Sequence, residues 1–154
     1  MVRAWVLSSY EGYSLNSFFR VILALFTRLY KMSNGKIMGR VAGLNVLLLT
    51  TTGRKSGKQR TAPLGYFEHD GSYVTTASNA GSDRHPGWFL NLRDNPQVQI
   101  QIKDKETPAT AQVVGPELRK ELWAKLVSLS PQYGGYATST KRIVPMILLI
   151  PKDQ

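Results

Sequence analysis

The feature that most constrains the fold is a stretch, residues 44–150, in which short β-type segments are separated by turn residues. The segment Leu44–Thr52 is mostly apolar or β-branched, which predicts a buried strand. Residues 60–67 and 72–78 predict two further strands, and His69-Asp70-Gly71 between them predicts a tight hairpin. A chain that returns on itself in this way favours an antiparallel sheet.

Three more strands and two short helices complete the predicted domain. Apolar residues alternate with polar ones over residues 98–102, and residues 107–114 and 143–150 are also strand-like. Pro86 and Pro116 each predict a helix start, the second with a stripe of leucines at 118, 122, 126 and 129. Too few helices alternate with strands for a doubly wound sheet. We therefore predict an α+β fold, a mostly antiparallel barrel of about six strands with peripheral helices.

An amphipathic helix is predicted over residues 15–31, ahead of the barrel. Its polar face holds Asn16, Arg20, Ala24, Thr27 and Lys31, and its apolar side holds Phe18, Phe19, Ile22, Leu25, Phe26 and Leu29. We divide the chain into this helix with its linker, residues 1–40, and a barrel domain, residues 41–154. The helix either docks on its own domain or lies at an anionic membrane surface.

The net charge of the chain indicates which kinds of partner it can bind. The 154 residues include 20 Lys and Arg but only 10 Asp and Glu, a net charge of +10, which favours an anionic partner. Nucleic acid, an anionic membrane and a multiply anionic small molecule all fit. The chain has no cysteine and only two histidines, so we expect neither disulfides nor a metal site. Without a signal-peptide or transmembrane pattern, we expect a cytoplasmic protein that can rest peripherally on the inner face of the membrane.

One basic segment is a candidate phosphate site. Residues 53–60 contain Arg54, Lys55, Lys58 and Arg60, with two glycines and no acid. Glycines let backbone N–H groups approach a ligand, and Arg and Lys bind phosphate oxygens. A solvated hairpin tip is the alternative interpretation. The spacing is not that of a Walker loop. The small polar run at residues 77–81 and the helix start at residues 85–92 are further candidates for ring or anion contacts.

Several of these segments together resemble the deazaflavin-dependent nitroreductase family. The resemblance runs in order and spacing from about residue 44 to 151 and is carried by residues 49–57, Pro63-Leu64, Ala77-Ser78, residues 86–92 and Asn95-Pro96. It implies a split β-barrel, similar to flavin reductases, that binds coenzyme F420. The implied cofactor-binding residues are Arg54, Lys55, Ser56, Gly57 and Arg60 near the phosphate, Thr61, Ala62, Pro63, Ala77 and Ser78 along the ring, and Asn79, Gly81, Trp88 and Asn91 towards the acidic tail. Relatives can carry lysine where this chain has Asn79, and Arg84 can substitute.

The resemblance also implies hydride transfer from reduced F420 to a small planar apolar acceptor such as a quinone, enone or nitroaromatic. Tyr133 and Tyr136 would cover the acceptor, and a tyrosine hydroxyl or Ser78 would stabilise its developing charge. Relatives can carry tyrosine where this chain has Gly65. Alternatives are a non-catalytic F420 or flavin-binding protein, a flavin mononucleotide enzyme, or a basic nucleic-acid-binding module. No nucleic-acid-binding motif favours the last, so we predict no nucleic-acid partner. We expect a monomer or homodimer.

Overall fold

The structure is an antiparallel sheet with four helices around it. It is a computed structural model, and it describes residues 16–152. The helices are α1 (Asn16–Met32), α2 (Gly87–Asp94), α3 (Pro116–Leu129) and α4 (Gln132–Thr138). The strands are β1 (Arg40–Val41), β2 (Leu44–Thr52), β3 (Gln59–His69), β4 (Ser72–Thr76), β5 (Gln97–Ile102), β6 (Lys105–Val113) and β7 (Met146–Pro151).

Six of these strands close into a barrel. Neighbours in the sheet follow the order β1-β2-β3-β4-β7-β6-β5, and β2 also pairs with β5, with Leu48 opposite Gln101. Every pairing is antiparallel. The predicted α+β barrel of about six strands is confirmed, and the two-residue β1 is an addition to it.

Strand β2 is buried on both of its faces. Leu47 and Leu49 lie in the main core with side chains of β5, β6, β7 and α2. Val46 and Leu48 point the other way and pack beneath α1. Because successive side chains alternate between faces, a strand covered on both sides must be apolar at consecutive positions. This explains the unbroken apolar run in the sequence.

The predicted hairpin joins β3 to β4. Asp70 and Gly71 have φ angles of 47° and 75°, as a type I′ turn requires, and His69 pairs with Ser72. Strand β4 ends at Thr76, two residues before the predicted end. The reason is local, because Ser78 takes a helical conformation and starts the 3₁₀ turn Asn79–Gly81.

Helix α1 divides its apolar residues between two sides. Phe26 and Tyr30 are buried against β2, as the docking alternative predicts. Phe18 and Leu25, which the sequence predicts on the same apolar face, are 61% and 55% exposed. Both belong to an exposed stripe with Val21 and Met32. The barrel therefore covers only part of the predicted apolar face. Residues 1–15, which include only the first residue of the predicted helix, lie outside the described residues.

None of the helices within residues 16–152 is long and apolar enough to cross a membrane. On the other side of the sheet, Leu122 and Leu126 of α3 pack with Leu44 and Phe67. Leu129 is 43% exposed because α3 ends there, so the leucine stripe is one residue shorter than predicted.

Candidate active site

The basic segment forms a compact loop between β2 and β3. The Gly53 amide donates to the Lys58 carbonyl at 2.8 Å, and the Gly57 amide donates to the Gly53 carbonyl at 2.7 Å. A side chain at position 53 would meet Ser56 Oγ at 2.8 Å and the Lys58 carbonyl at 3.1 Å, and Gly57 has a φ of 67°. The loop therefore needs both glycines. Arg54, Lys55 and Ser56 are exposed on it and free to contact a ligand.

Asn91 of α2 holds this loop in place. Its Oδ1 accepts from the Arg54 amide and its Nδ2 donates to Thr51 Oγ1, both at 3.1 Å. The sequence predicted Asn91 as a tail contact. In the structure it connects the loop to α2, the helix on which Trp88 lies.

A cleft of about 740 Å³, which we call the basic cleft, opens beside the loop. The start of β3, the first half of α2 and one side of α1 line it. The predicted site residues along it are Arg60, Thr61, Ala62, Trp88 and Asn91. Basic side chains of α1 also line it, namely Arg20, Arg28 and Lys31. Sequence reasoning did not assign α1 to the site, although it placed Arg20, Ala24, Thr27 and Lys31 on one polar face, and this face is the one turned towards the cleft.

A smaller cavity, the inner pocket, adjoins the basic cleft. It measures about 50 Å³ and shares Leu23 and Trp88 with the cleft. The predicted site residues that line it are Pro63, Ser78, Asn79, Trp88 and Tyr133. Gly65 lines it as well, and a Cβ there would lie 3.7 Å from the Tyr133 hydroxyl. The structure therefore brings residues from β3, α2 and α4 together around one small cavity.

Seven predicted site residues line neither cavity: Arg54, Lys55, Ser56 and Gly57 lie on the basic loop, Tyr136 lies on α4, and the other two are Ala77 and Gly81. Ala77 is fully buried in the main core and its amide donates to the Pro145 carbonyl. Gly81 is buried against Ser139. Both support the loop that carries Ser78 and Asn79.

Asn79 presents an unpartnered acceptor. The side chain is 9% exposed, and its Nδ2 donates to the Arg84 carbonyl at 2.9 Å. That bond sets the orientation of the amide, and within residues 16–152 no donor reaches the buried Oδ1. A buried acceptor without a partner carries a desolvation cost of about 1–3 kcal/mol. Asn79 also has a left-handed φ of 46°. This group is ready to accept a hydrogen bond from a ligand.

Arg142, which sequence reasoning missed, ties the Asn79 loop to the segment before β7. It donates to the carbonyls of Ser82, Ala77 and Ser78 at 2.8, 3.0 and 2.9 Å. Its Nη1 also lies 3.3 Å from His85 Nδ1. Burial, with the nearby charges of Arg142 and Arg93, lowers the pKa of His85. Neutral His85 can accept from the guanidinium, whereas the protonated ring cannot.

The two predicted tyrosines lie on α4. Tyr133 is 5% exposed, and its ring packs edge-on against that of Tyr136 with centroids 5.3 Å apart. Burial raises the pKa of both phenols, so both hydroxyls keep their protons at neutral pH. Tyr133 lines the inner pocket. Tyr136 does not line it and instead packs against the Tyr133 ring. Both hydroxyls are therefore able to donate a hydrogen bond.

Comparison with known proteins gives consistent results. A family model described as F420H(2)-dependent quinone reductase matches residues 22–151. An F420H(2)-dependent quinone reductase of Mycobacterium tuberculosis is 34% identical over 134 residues, covering 83% of this chain and 89% of the relative. A solved structure of an F420-H2 dependent reductase is 40% identical, with a TM-score of 0.62 over 68% of this chain and 92% of the other. Another, described as a domain-swapped dimer, is 34% identical, with a TM-score of 0.64 over 86% of this chain and 99% of the other.

Proposed function

We propose, from the premise that the chain belongs to the F420H(2)-dependent quinone reductase family, that the basic cleft and the inner pocket form its active site. The protein is an oxidoreductase and its cofactor is coenzyme F420. One observation carries the assignment of the site. A large cleft lined by four basic side chains and no acid opens, past Trp88, onto a small pocket with hydrogen-bonding groups.

The residues present fit this coenzyme, which combines a flat ring, a phosphate and an acidic tail. Arg54, Lys55 and Arg60 supply donors for phosphate, with the exposed Ser56 beside them, while Gly57 shapes the loop that presents them. Residues 61–63 of β3 supply a surface beside the ring, opposite Ser78. When bound, reduced F420 supplies a hydride from its C5 position. A flavin mononucleotide has one phosphate and no acidic tail, and would leave most of the cleft cations unpaired.

Asn79 is better suited to the ring than to the tail. It lines the inner pocket and not the basic cleft, and its buried Oδ1 needs a donor. The pyrimidine part of a deazaflavin carries an N–H that can supply one. We therefore assign Asn79 to ring orientation, with Trp88 at the junction and Gly81 supporting the loop from behind.

The acceptor is a quinone, with enones and nitroaromatics as further planar candidates. The inner pocket is too small to enclose it, so we place the acceptor where the basic cleft meets the inner pocket, with its oxygen directed towards Tyr133 and Ser78. The hydroxyls of Tyr133 and Ser78 hydrogen-bond this oxygen as negative charge develops there. Tyr136 holds the Tyr133 ring edge-on.

Tyr133→Phe is expected to lower kcat for quinone reduction about tenfold or more, because it removes a hydrogen-bond donor from the developing oxyanion. Coenzyme affinity should change less than about twofold, since the ring is retained. Stopped-flow oxidation of reduced F420 measures the first quantity and fluorescence titration the second. Tyr136→Phe, one step further from the pocket, should have the smaller effect on kcat. Equal turnover of both variants and the native protein would remove the hydroxyls from the mechanism.

The site assignment is tested by titrating the protein with oxidised F420 and with flavin mononucleotide. F420 is expected to bind more tightly, and Arg54→Ala and Lys55→Ala should each weaken it by about 1.5–3 kcal/mol. Both side chains are exposed, so the unfolding midpoint should stay the same. Lys120→Ala, an exposed cation of α3 outside both cavities, is the matched control. Normal affinity in both loop variants would place the phosphate elsewhere, and tighter binding of flavin mononucleotide would overturn the coenzyme assignment.

We also propose that α1 rests on an anionic membrane, the phase in which lipid quinones dissolve. Its exposed stripe of Phe18, Val21, Leu25 and Met32 supplies apolar area, and α1 cations add attraction of about 1 kcal/mol each near anionic lipid. Leu25→Asp should abolish vesicle co-sedimentation at low salt. Val113→Asp, an equal charge change at an exposed apolar residue of β6, should not. Equal binding of the two variants to vesicles would contradict this role. Separately, sedimentation velocity of the same samples distinguishes a monomer from a homodimer.

A further inference from the structure

Helix α1 is held firmly enough to form part of a binding site. Its residues Phe26 and Tyr30 are buried against β2, and the Tyr30 hydroxyl donates to the Val46 carbonyl at 2.8 Å. The same oxygen accepts from the Lys103 amide at 3.0 Å. These contacts join α1 to β2 and to the turn between β5 and β6. The side of the helix next to Tyr30 is thereby held over the basic cleft.

The side chains on that side are cationic and lack acidic partners. Arg20, Arg28 and Lys31 line the cleft from α1, and Arg60 lines it from β3. Among residues 16–152 the only ion pair is between His69 and Asp70, so none of the four cations is neutralised by a carboxylate. Like charges around one cavity repel each other, and a ligand with several negative charges relieves the repulsion.

The position of these cations distinguishes them from the loop cations. Arg54 and Lys55 are on the turn between β2 and β3 and do not line the basic cleft, whereas the α1 cations do. A single phosphate held at the loop would therefore leave the α1 side unused. A ligand that extends from the loop along the cleft, with carboxylates spaced along it, would contact both.

We propose that Arg20, Arg28 and Lys31 of α1 form a second wall of the coenzyme site, which binds the carboxylates of the oligoglutamate tail. This proposal rests on the proposed function. It adds that the protein distinguishes forms of the coenzyme by the length of their oligoglutamate tail. Affinity then rises with the number of carboxylates and falls with salt, because exposed charge pairs are screened.

The test compares two forms of oxidised F420, one with a long oligoglutamate tail and one with no glutamate, in fluorescence titrations at low and high salt. The native protein is expected to bind the long form more tightly. The triple variant Arg20→Ala, Arg28→Ala, Lys31→Ala should lose about tenfold in affinity for the long form and little for the short form. The charge-preserving variant Arg20→Lys, Arg28→Lys, Lys31→Arg should retain the preference. The triple variant Lys105→Ala, Lys120→Ala, Lys152→Ala, at exposed positions outside the cleft, controls for net charge.

The outcomes separate the two levels of the proposal. If the native protein binds neither form, the proposed function itself fails. If it binds both forms, but the triple variant keeps the native preference or weakens both forms equally, α1 does not bind the tail. Loss of the preference in the net-charge control variant would show a general effect of net charge and would also overturn the inference. Circular dichroism of each variant confirms that α1 is folded.

Discussion

Arg142→Ala is expected to weaken F420 binding about tenfold or more and to destabilise the fold by about 2–4 kcal/mol. The guanidinium donates three hydrogen bonds to the carbonyls of Ala77, Ser78 and Ser82, and hydrogen bonds to charged groups are worth about 1.5–3 kcal/mol before non-additivity. These carbonyls belong to the loop that positions Ser78 and Asn79. Urea denaturation measures the stability loss, and fluorescence titration measures the affinity.

Arg142→Lys is the matched control, because lysine keeps the charge but lacks the planar fork that reaches several carbonyls at once. It should recover only part of the affinity. Full recovery would mean that charge, and not the geometry of the three bonds, holds the loop. Native affinity in Arg142→Ala would show that the loop keeps its conformation unaided.

The contact between Arg142 and His85 adds a pH dependence to this prediction. Burial is the main cause that lowers the pKa of His85 below 6.5, so the unfolded chain takes up a proton at higher pH than the folded protein does. The stability contributed by neutral His85 is therefore complete above about pH 6.5 and is lost as pH falls through the folded pKa. His85→Gln should remove this component of the pH profile. Arg142→Ala should make it shallower, because the charge that opposes protonation is gone.

Gly81→Ala is expected to destabilise the protein by about 2–5 kcal/mol. Gly81 has a φ of 79°, which costs a residue with a side chain about 1–2 kcal/mol. In addition, the new Cβ would overlap Ser139 Oγ and lie 3.3 Å from the Tyr136 Cα, and overpacking adds about 1–3 kcal/mol. The displaced segment includes α4, so turnover should fall as well. Urea denaturation and steady-state quinone reduction measure the two effects.

Gly71→Ala separates the two contributions. Its φ of 75° is nearly the same, yet no atom lies within 4 Å of the added Cβ. This variant should lose only the backbone component, about 1–2 kcal/mol, with unchanged turnover. Equal losses at positions 71 and 81 would contradict the proposed packing of the Asn79 loop against Ser139.

Local patterns were sufficient to predict most elements of the fold. The bounds of β2 were predicted correctly, because a strand buried on both faces has a continuous apolar run in the sequence. The hairpin at Asp70-Gly71 was also predicted correctly, because its left-handed turn favours these two residue types. Helix α1 begins and ends within one residue of its predicted bounds, since its periodicity is strong. What the sequence did not predict is which side of α1 faces the barrel, the cleft or solvent.

The site was less predictable because its key contacts join residues far apart in the chain. Arg142 donates to carbonyls some sixty residues earlier, and a carbonyl leaves no mark in the amino-acid sequence. The Asn79 side-chain amide is oriented by the hydrogen bond from its Nδ2 to the Arg84 carbonyl, and no donor among the described residues lies within reach of its Oδ1. Neither fact can be predicted from the sequence. The family resemblance predicted that Asn79 contacts the coenzyme. Our proposal that it contacts the ring and not the tail depends on its position in the inner pocket.

The pairing of β2 with β5 also bears on how the protein folds. Leu48 and Gln101 are separated in the chain by β3, β4 and α2, so forming this pairing carries the entropy cost of closing a long loop. Strand β5 follows α2 directly, so the pairing also helps to fix α2, whose Trp88 and Asn91 line the basic cleft together with β3. A partly assembled chain would have the basic loop without the opposing wall. By mass action, a ligand that contacts both walls of the cleft stabilises the completed barrel over a form that lacks one wall, so the stability of the protein rises with coenzyme concentration.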